Sequence, residues 1–250
     1  MAQPRMTAWA PPSQPPRRRA GRVVFWVLVG LAAALLVTSI AIPIATIRPY
    51  LERSTSMEDT IVPGDQVLVA GGSGLRRGDV IVVQVPVSGA DNLALKRVIG
   101  LPGDHVACCD PGGRVTVDGK PLDETYLYPR DHPSAARFSV TLRAGQVWAM
   151  GDHRSISLDS REWGPLRERA VVGRVVFVGH GASFVALRTP QTFVVGGLTP
   201  SDTRPDFYLW LALLALASAA GLLILAAVGI TRYVIRRRRL RERSALARPA

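Results

Sequence analysis

Residues 23–47 read VVFWVLVGLAAALLVTSIAIPIATI, 25 positions without a charged side chain. About 20 consecutive apolar residues cross a hydrocarbon core of about 30 Å, so this run is a candidate membrane helix. Pro43, near its end, is tolerated there or marks a kink. The run exceeds the apolar core of about 7–15 residues found in a cleavable secretory signal, which favours a retained anchor. Residues 207–231 (FYLWLALLALASAAGLLILAAVGIT) are equally free of charge. They open with Tyr208 and Trp210, rings suited to a membrane interface. These two runs frame everything else in the chain.

The 250 residues are 48% hydrophobic and carry a formal charge of +12. A chain this apolar is not a disordered polymer. Its basicity points to nucleic acid only until the charge is divided. Residues 1–22 hold five arginines and no acid, residues 232–250 hold eight arginines against Glu242, and residues 23–231 balance at 18 basic and 18 acidic side chains. The whole excess abuts the apolar runs, as expected of cytoplasmic flanks under the positive-inside rule. Such tails also attract anionic lipid. The expected partner of the charge is therefore the bilayer, and nucleic acid is excluded.

Six segments follow. Residues 1–22 are a basic, proline-rich, disordered cytoplasmic tail. Residues 23–47 are a transmembrane helix, residues 48–180 a β-rich domain, and residues 181–206 a linker punctuated by Gly and Pro. Residues 207–231 are a second transmembrane helix, and residues 232–250 an Arg-rich cytoplasmic tail. The topology is a two-span plasma-membrane protein with both termini in the cytoplasm and residues 48–206 outside.

The outside segment is large enough for one core. Short Val-rich runs (66–69 QVLV, 79–83 DVIVV, 114–117 RVTV, 171–178 VVGRVVFV) alternate with turn signals such as Pro63-Gly64-Asp65 and Pro102-Gly103-Asp104. Residues 114–122 (RVTVDGKPL) predict a hairpin turning at Asp118-Gly119. No helical periodicity of useful length interrupts them. The fold class is a mostly β extracytoplasmic domain of antiparallel sheets between two transmembrane α-helices.

Lysine usage is the first chemical clue, since the chain has 29 Arg and only Lys96 and Lys120. Lys120 sits in the polar DGKPL turn. Lys96 sits within LALKRVI, residues 93–99, an apolar strand. A buried Lys can lose its proton and act as a base, which Arg cannot do; the alternative is a chain that snorkels to solvent. Ser56, nine residues after the first span, is a candidate nucleophile. A Ser-His-Asp triad through His153 with Asp152 or Asp159 is the rival arrangement. The outside segment has no G-x-S-x-G, and neither H-E-x-x-H nor C-x-x-C occurs, so no metal site is expected.

Four blocks in order resemble the type I signal peptidases, the membrane Ser/Lys proteases. They are residues 54–61 (STSMEDTI) followed by 63–65 (PGD), residues 77–82 (RGDVIV), residues 96–104 (KRVIGLPGD) and residues 151–164 (GDHRSISLDSREWG). The resemblance covers roughly residues 50–180 and shares the leading span; a second, C-terminal span occurs in some actinobacterial members. It implies Ser56 as nucleophile and Lys96 as general base. It further implies Ser157 as the residue orienting that lysine, Ser54 and the Ser56 backbone N–H as oxyanion donors, and Asp159 with Arg161 as structural support. Met57 and Leu95, beside the dyad, are the substrate-contact candidates. The implied reaction is removal of signal peptides from secreted preproteins, after a small residue, in an open groove where the substrate adds as a strand. No cofactor is implied, and the secretion translocon is a further partner.

The sequence departs from that pattern at Asp59, where the family usually has Pro, and at His153, Ser155 and Ile156, where it usually has Asn, Asp and Asn. The first places an acid near the nucleophile; the second removes polar groups around Arg154. An inactive or specialised paralogue that binds preproteins is the corresponding alternative. Cys108 and Cys109 are adjacent. Neighbouring Cα atoms about 3.8 Å apart fall below the usual disulfide range, so free thiols or a strained bridge are the readings.

Overall fold

The structure, a computed structural model, describes residues 17–71, 74–86, 92–181, 183–199 and 204–246. The proline-rich start of the chain lies outside them. The chain divides into two units: the helices up to Ala41 and from Leu211, and a β unit spanning Ile42–Trp210.

In the helical unit, α1 (Arg17–Thr46) contains Pro43 and ends three residues later. The last helix, Arg204–Leu246, runs on through the Arg cluster, consistent with the good helix propensity of Arg. Val23–Thr46 and Asp206–Arg239 each have a window of mean hydropathy 2.6, long and apolar enough to cross a membrane.

The β unit begins at β1 (Ile47–Leu51), directly after α1, and every strand pairing in it is antiparallel. In chain order there follow β2 (Gln66–Ala70), β3 (Val80–Gln84), β4 (Leu93–Gly100), β5 (His105–Cys108), β6 (Val115–Val117), β7 (Lys120–Pro121), β8 (Phe138–Thr141) and β9 (Gln146–Met150). A short helix α2 (Ser160–Trp163), β10 (Leu166–Arg167), β11 (Val171–His180) and β12 (Ser183–Ala186) complete the sheets. One sheet has the order β1-β2-β11-β3-β4-β9-β10, with β12 on β11; the other is β7-β6-β5-β8. The hairpin expected at Asp118-Gly119 joins β6 to β7, and both turn residues have positive φ, 49° and 76°, as a type I′ turn requires.

The strands are Val-rich because several are covered on both faces. Val80 and Val82 of β3 join Met57, Ile61, Val67, Val69, Leu95 and Val175 in one cluster. Ile81 and Val83 join Val98, Val147, Ala149 and Leu166 in another. β4 lies between β3 and β9, so Lys96 emerges from an interior strand.

One expectation needs correction: within the segment read as a linker, residues 183–199 pack onto the β unit. β12 extends the large sheet, and a short helix α3 (Gln191–Val195) carries Phe193, 0% exposed, into the core with Val106, Leu122 and Trp148. Arg77 Nη1 donates to Leu198 O at 2.6 Å and Thr199 Oγ1 to Arg77 O at 3.2 Å. One large apolar side chain outweighs the local Gly/Pro signal. With His153, Ser155 and Ile156 beside it, Arg154 still makes four hydrogen bonds. Its guanidinium donates to Glu124 at 2.5 and 3.1 Å, to Pro133 O at 2.6 Å and to Gly151 O at 2.8 Å. Cys108 and Cys109 form a disulfide, with Cys108 packed in the core.

Candidate active site

Ser56 opens a tight turn after β1. The turn is closed by Thr60 N–H and Ile61 N–H donating to Met57 O at 3.0 Å each. Met57 and Ile61 anchor it in the core, which leaves Ser56, 7% exposed, at the floor of a cleft. That cleft has a volume of about 630 Å³; Tyr50, Glu52, Ser54, Val82, Leu95 and Lys96 are among its walls. A hollow of about 660 Å³ elsewhere, edged by Leu75, Gln146, Arg167 and Glu168, holds neither Ser56 nor Lys96.

Lys96 Nζ lies 2.7 Å from Ser56 Oγ, in a buried hydrogen bond between residues forty positions apart. Lys96 is 2% exposed. Burial pushes its pKa down from an ordinary 10.5 to about 8, while the charges of Asp159, Glu52 and Asp152 pull the other way. A hydroxyl beside an amine that sheds its proton near neutrality is a nucleophile with its base already in place.

Successive positions on β4 split the work. Arg97, 1% exposed, grips Asp152 through Nε at 2.8 Å and Nη2 at 2.5 Å, and donates to Gly78 O at 2.9 Å. Thr60 Oγ1 donates to the same carboxylate at 2.6 Å. The strand of the lysine and the turn of the serine are thereby tied to the loop after β9. That loop reaches back through His153 N–H, which donates to Ser56 O at 3.1 Å.

Asp159 caps α2 and is fully buried. It accepts from Arg161 Nε at 2.9 Å, Arg161 Nη2 at 2.8 Å and Gly151 N–H at 3.0 Å. Burial alone would raise its pKa, yet the hydrogen bonds and charge of Arg161 and the backbone donors hold it below the usual carboxylate value. Arg161 Nη2 also braces Arg154 O and Ser157 O. These two residues therefore stiffen the loop that carries Ser157.

Ser54 Oγ accepts from Ser56 N–H at 3.1 Å. The two expected oxyanion donors thus bond each other, and the Ser54 proton is left to point elsewhere. Ser157 Oγ is buried with no hydrogen-bond partner among the described residues, so the expected bond to Lys96 is not formed; Lys96 is engaged by Ser56 instead. Leu95 lines the cleft, but Met57 is 0% exposed and packs in the core away from it. Of the two substrate-contact candidates, only Leu95 is in a position to touch a peptide. Asp59 is exposed and is not among the charges acting on Lys96.

The His153 triad is not assembled. The imidazole stacks on Tyr128 at 3.9 Å, and its Nδ1 lies 3.3 Å from Glu58. Asp152 and Asp159 are both held by arginines.

Two residues given no role from the sequence complete the picture. Glu52, 4% exposed, accepts the Ser54 N–H at 2.6 Å. Burial raises its pKa against that bond and the Lys96 charge. Gly151 fits between Ser56 O and Ser157, where a Cβ would lie 2.5 and 2.2 Å from the nearest atoms. An acid two positions before Ser54 was the only local signal for the first, and the second was marked only by opening the block 151–164.

Residues 23–179 match the family model described as signal peptidase, peptidase S26. Signal peptidase IB of Staphylococcus aureus is 31% identical over 151 residues, covering 52% of this chain and 76% of that protein. A probable signal peptidase I-1 of Synechocystis sp. is 33% identical over 159 residues, covering 60% and 79%. The crystal structure of a signal peptidase I from Enterococcus faecalis V583 aligns at 26% identity and a TM-score of 0.35, covering 41% of this chain and 97% of that one.

Proposed function

The chain belongs to the signal peptidase family, peptidase S26, and from that premise we propose that Ser56 and Lys96 are the nucleophile and general base with which it removes signal peptides from preproteins. It is a serine endopeptidase. The observation that carries the assignment is the buried 2.7 Å contact from Lys96 Nζ to Ser56 Oγ.

Neutral Nζ takes the hydroxyl proton as Oγ attacks the carbonyl carbon before the scissile bond. The resulting ammonium returns that proton to the departing amine, leaving the signal peptide as an ester on Ser56. A water molecule, deprotonated by Lys96, then attacks the ester and frees Ser56. With a pKa of about 8, about a tenth of Lys96 is neutral at pH 7, so the base is available without a histidine. Ser54 Oγ–H and Ser56 N–H receive the oxyanion, the second by exchanging its bond to Ser54 for one to substrate. Ser157, buried and without a partner among the described residues, takes up the Lys96 ammonium when Oγ moves onto the carbonyl. Asp159 and Arg161 hold that loop in place, and Leu95 contributes to the wall against which small substrate side chains pack.

The two apolar helices span the plasma membrane with both Arg-rich ends in the cytoplasm and the β unit outside, where preproteins emerge from the translocon. Protease added to right-side-out vesicles should degrade the β unit and spare a tag on either terminus. Digestion of a C-terminal tag from outside would refute this orientation.

The mechanism is tested with purified protein and a preprotein. Ser56→Ala and Lys96→Arg should both abolish cleavage, the second although charge is kept, because a guanidinium cannot accept the serine proton. His153→Ala should keep much of the activity. An active Lys96→Arg beside a dead His153→Ala would overturn the assignment.

A further inference from the structure

Glu52 is a buried carboxylate in the catalytic cleft to which the Ser56–Lys96 chemistry gives no task. Its backbone is fixed on both sides. Glu52 N–H donates to Asp65 O at 2.9 Å, and Gly64 N–H donates to Glu52 O at 2.9 Å, continuing the β1–β2 ladder by one rung. Its side chain lines the cleft beside Ser54, Ser56 and Lys96. Oε1 accepts the Ser54 N–H at 2.6 Å, and the Arg53 N–H faces the same group. No side-chain donor among the described residues bonds it: Lys96, whose charge acts on it, donates to Ser56 Oγ instead. An ionised carboxylate has about four acceptor positions, so about half the capacity of this one meets no donor among the described residues. Glu52 lines the cleft, and neither of its carboxylate oxygens is among the buried, unbonded polar atoms of the described residues.

We propose that Glu52 is a specificity-determining residue that selects a small hydroxyl side chain in the preprotein segment just before the scissile bond. This rests on the proposed Ser56–Lys96 cleavage site. A peptide laid along the cleft displaces the water around Oε2. An apolar side chain would leave the anion desolvated without a partner, whereas a hydroxyl replaces the lost water bond. The need is greatest when Lys96 gives up its proton to act as base, because Glu52 then loses its balancing cation. The apolar walls, Val82, Ala94 and Leu95, suit a short side chain. A substrate ammonium would instead meet the protonated Lys96 of the resting enzyme. In an added strand the first and third residues before the bond point to the same side, so the selected position is one of these two.

The experiment uses synthetic preprotein peptides that differ only in Ser against 2-aminobutyrate, CH₂OH against an ethyl group of nearly the same shape, at the first or third residue before the bond. The full-length enzyme should favour Ser by about tenfold in kcat/KM at one position, the size expected for a hydrogen bond to a charged group. Glu52→Leu should reverse the preference. Glu52→Gln keeps the shape and the acceptor for Ser54, and should narrow it. Equal rates for both peptides at both positions, or a preference that survives Glu52→Leu, would overturn the proposal. Peptide competition on Ser56→Ala protein reads the same selectivity without turnover: an advantage of about tenfold for the Ser peptide is expected, and equal competition overturns the proposal. Residual cleavage by Ser56→Ala would sink the Ser56 assignment separately, since that binding result does not depend on turnover.

Discussion

Replacing Gly151 by alanine puts a methyl group where the structure leaves no room. A Cβ there would lie 2.2 Å from Ser157 Oγ, 2.5 Å from Ser157 Cβ and 2.5 Å from Ser56 O. Rotating Ser157 about χ1 moves its Oγ but not its Cβ, and Ser56 O belongs to the backbone, so the collision is not relieved by a flexible tip. Ordinary contact begins at 3.4 Å, which leaves the two fixed atoms about 0.9 Å short. The loop after β9 or the Ser56 turn must move by that distance, although His153 N–H to Ser56 O ties them together. Overpacking of this kind costs about 1–3 kcal/mol of stability. A displacement of about 1 Å in the reacting geometry costs about 10²-fold in rate. The expected result is therefore a folded protein whose kcat falls about 10²-fold with KM little changed, because the peptide-binding walls are untouched. Steady-state cleavage of a preprotein peptide, alongside a urea unfolding curve, measures both. Full kcat in a folded Gly151→Ala enzyme would refute the claim that Ser56 and Ser157 are positioned through this contact.

Other outcomes follow from the same geometry. Activity should rise with pH through an apparent pKa of about 8 as Lys96 loses its proton. Glu52 is one of the charges raising that pKa, so Glu52→Gln should move the rising limb to lower pH; an unmoved limb would remove its electrostatic role. Ser54→Ala should lower kcat by about 10²–10³, with KM changing far less, and an unchanged kcat would remove the oxyanion assignment. Phe193→Ala should destabilise the β unit by about 3–5 kcal/mol in urea unfolding, whereas a free linker would show no change.

Much of the site was legible because its parts are local in sequence. A lysine inside LALKRVI marks itself by composition: an Arg-rich chain that keeps one Lys in an apolar strand points to a group able to deprotonate. The blocks around Ser56 and Asp159 carry their own turns and cap, so their order and spacing survive as readable motifs. Glu52 and Gly151 were not legible in this way. Their importance lies in what faces them: the catalytic cleft for one, and the Ser56 carbonyl together with Ser157 for the other. Ser157 shows the opposite failure, since the motif implies a bond to Lys96 that the resting geometry gives to Ser56.

Length, charge and hydropathy by themselves determined the two apolar helices, their Arg-rich flanks and the β character of the segment between, since each depends only on near neighbours along the chain. Antiparallel β structure with a type I′ hairpin at Asp118-Gly119 belongs with these, being set by alternation and turn chemistry. Tertiary structure alone decided the rest. It drew residues 183–199 onto the β unit through Phe193 and Arg77, turned Met57 into the core and Leu95 into the cleft, and committed Asp152 and Asp159 to arginines rather than to His153. The physical reason is common to all of these. Burial, ion pairing and close packing are properties of pairs distant in sequence, and whether Lys96 is a solvated ammonium or a base of pKa about 8 depends on which strands close over it.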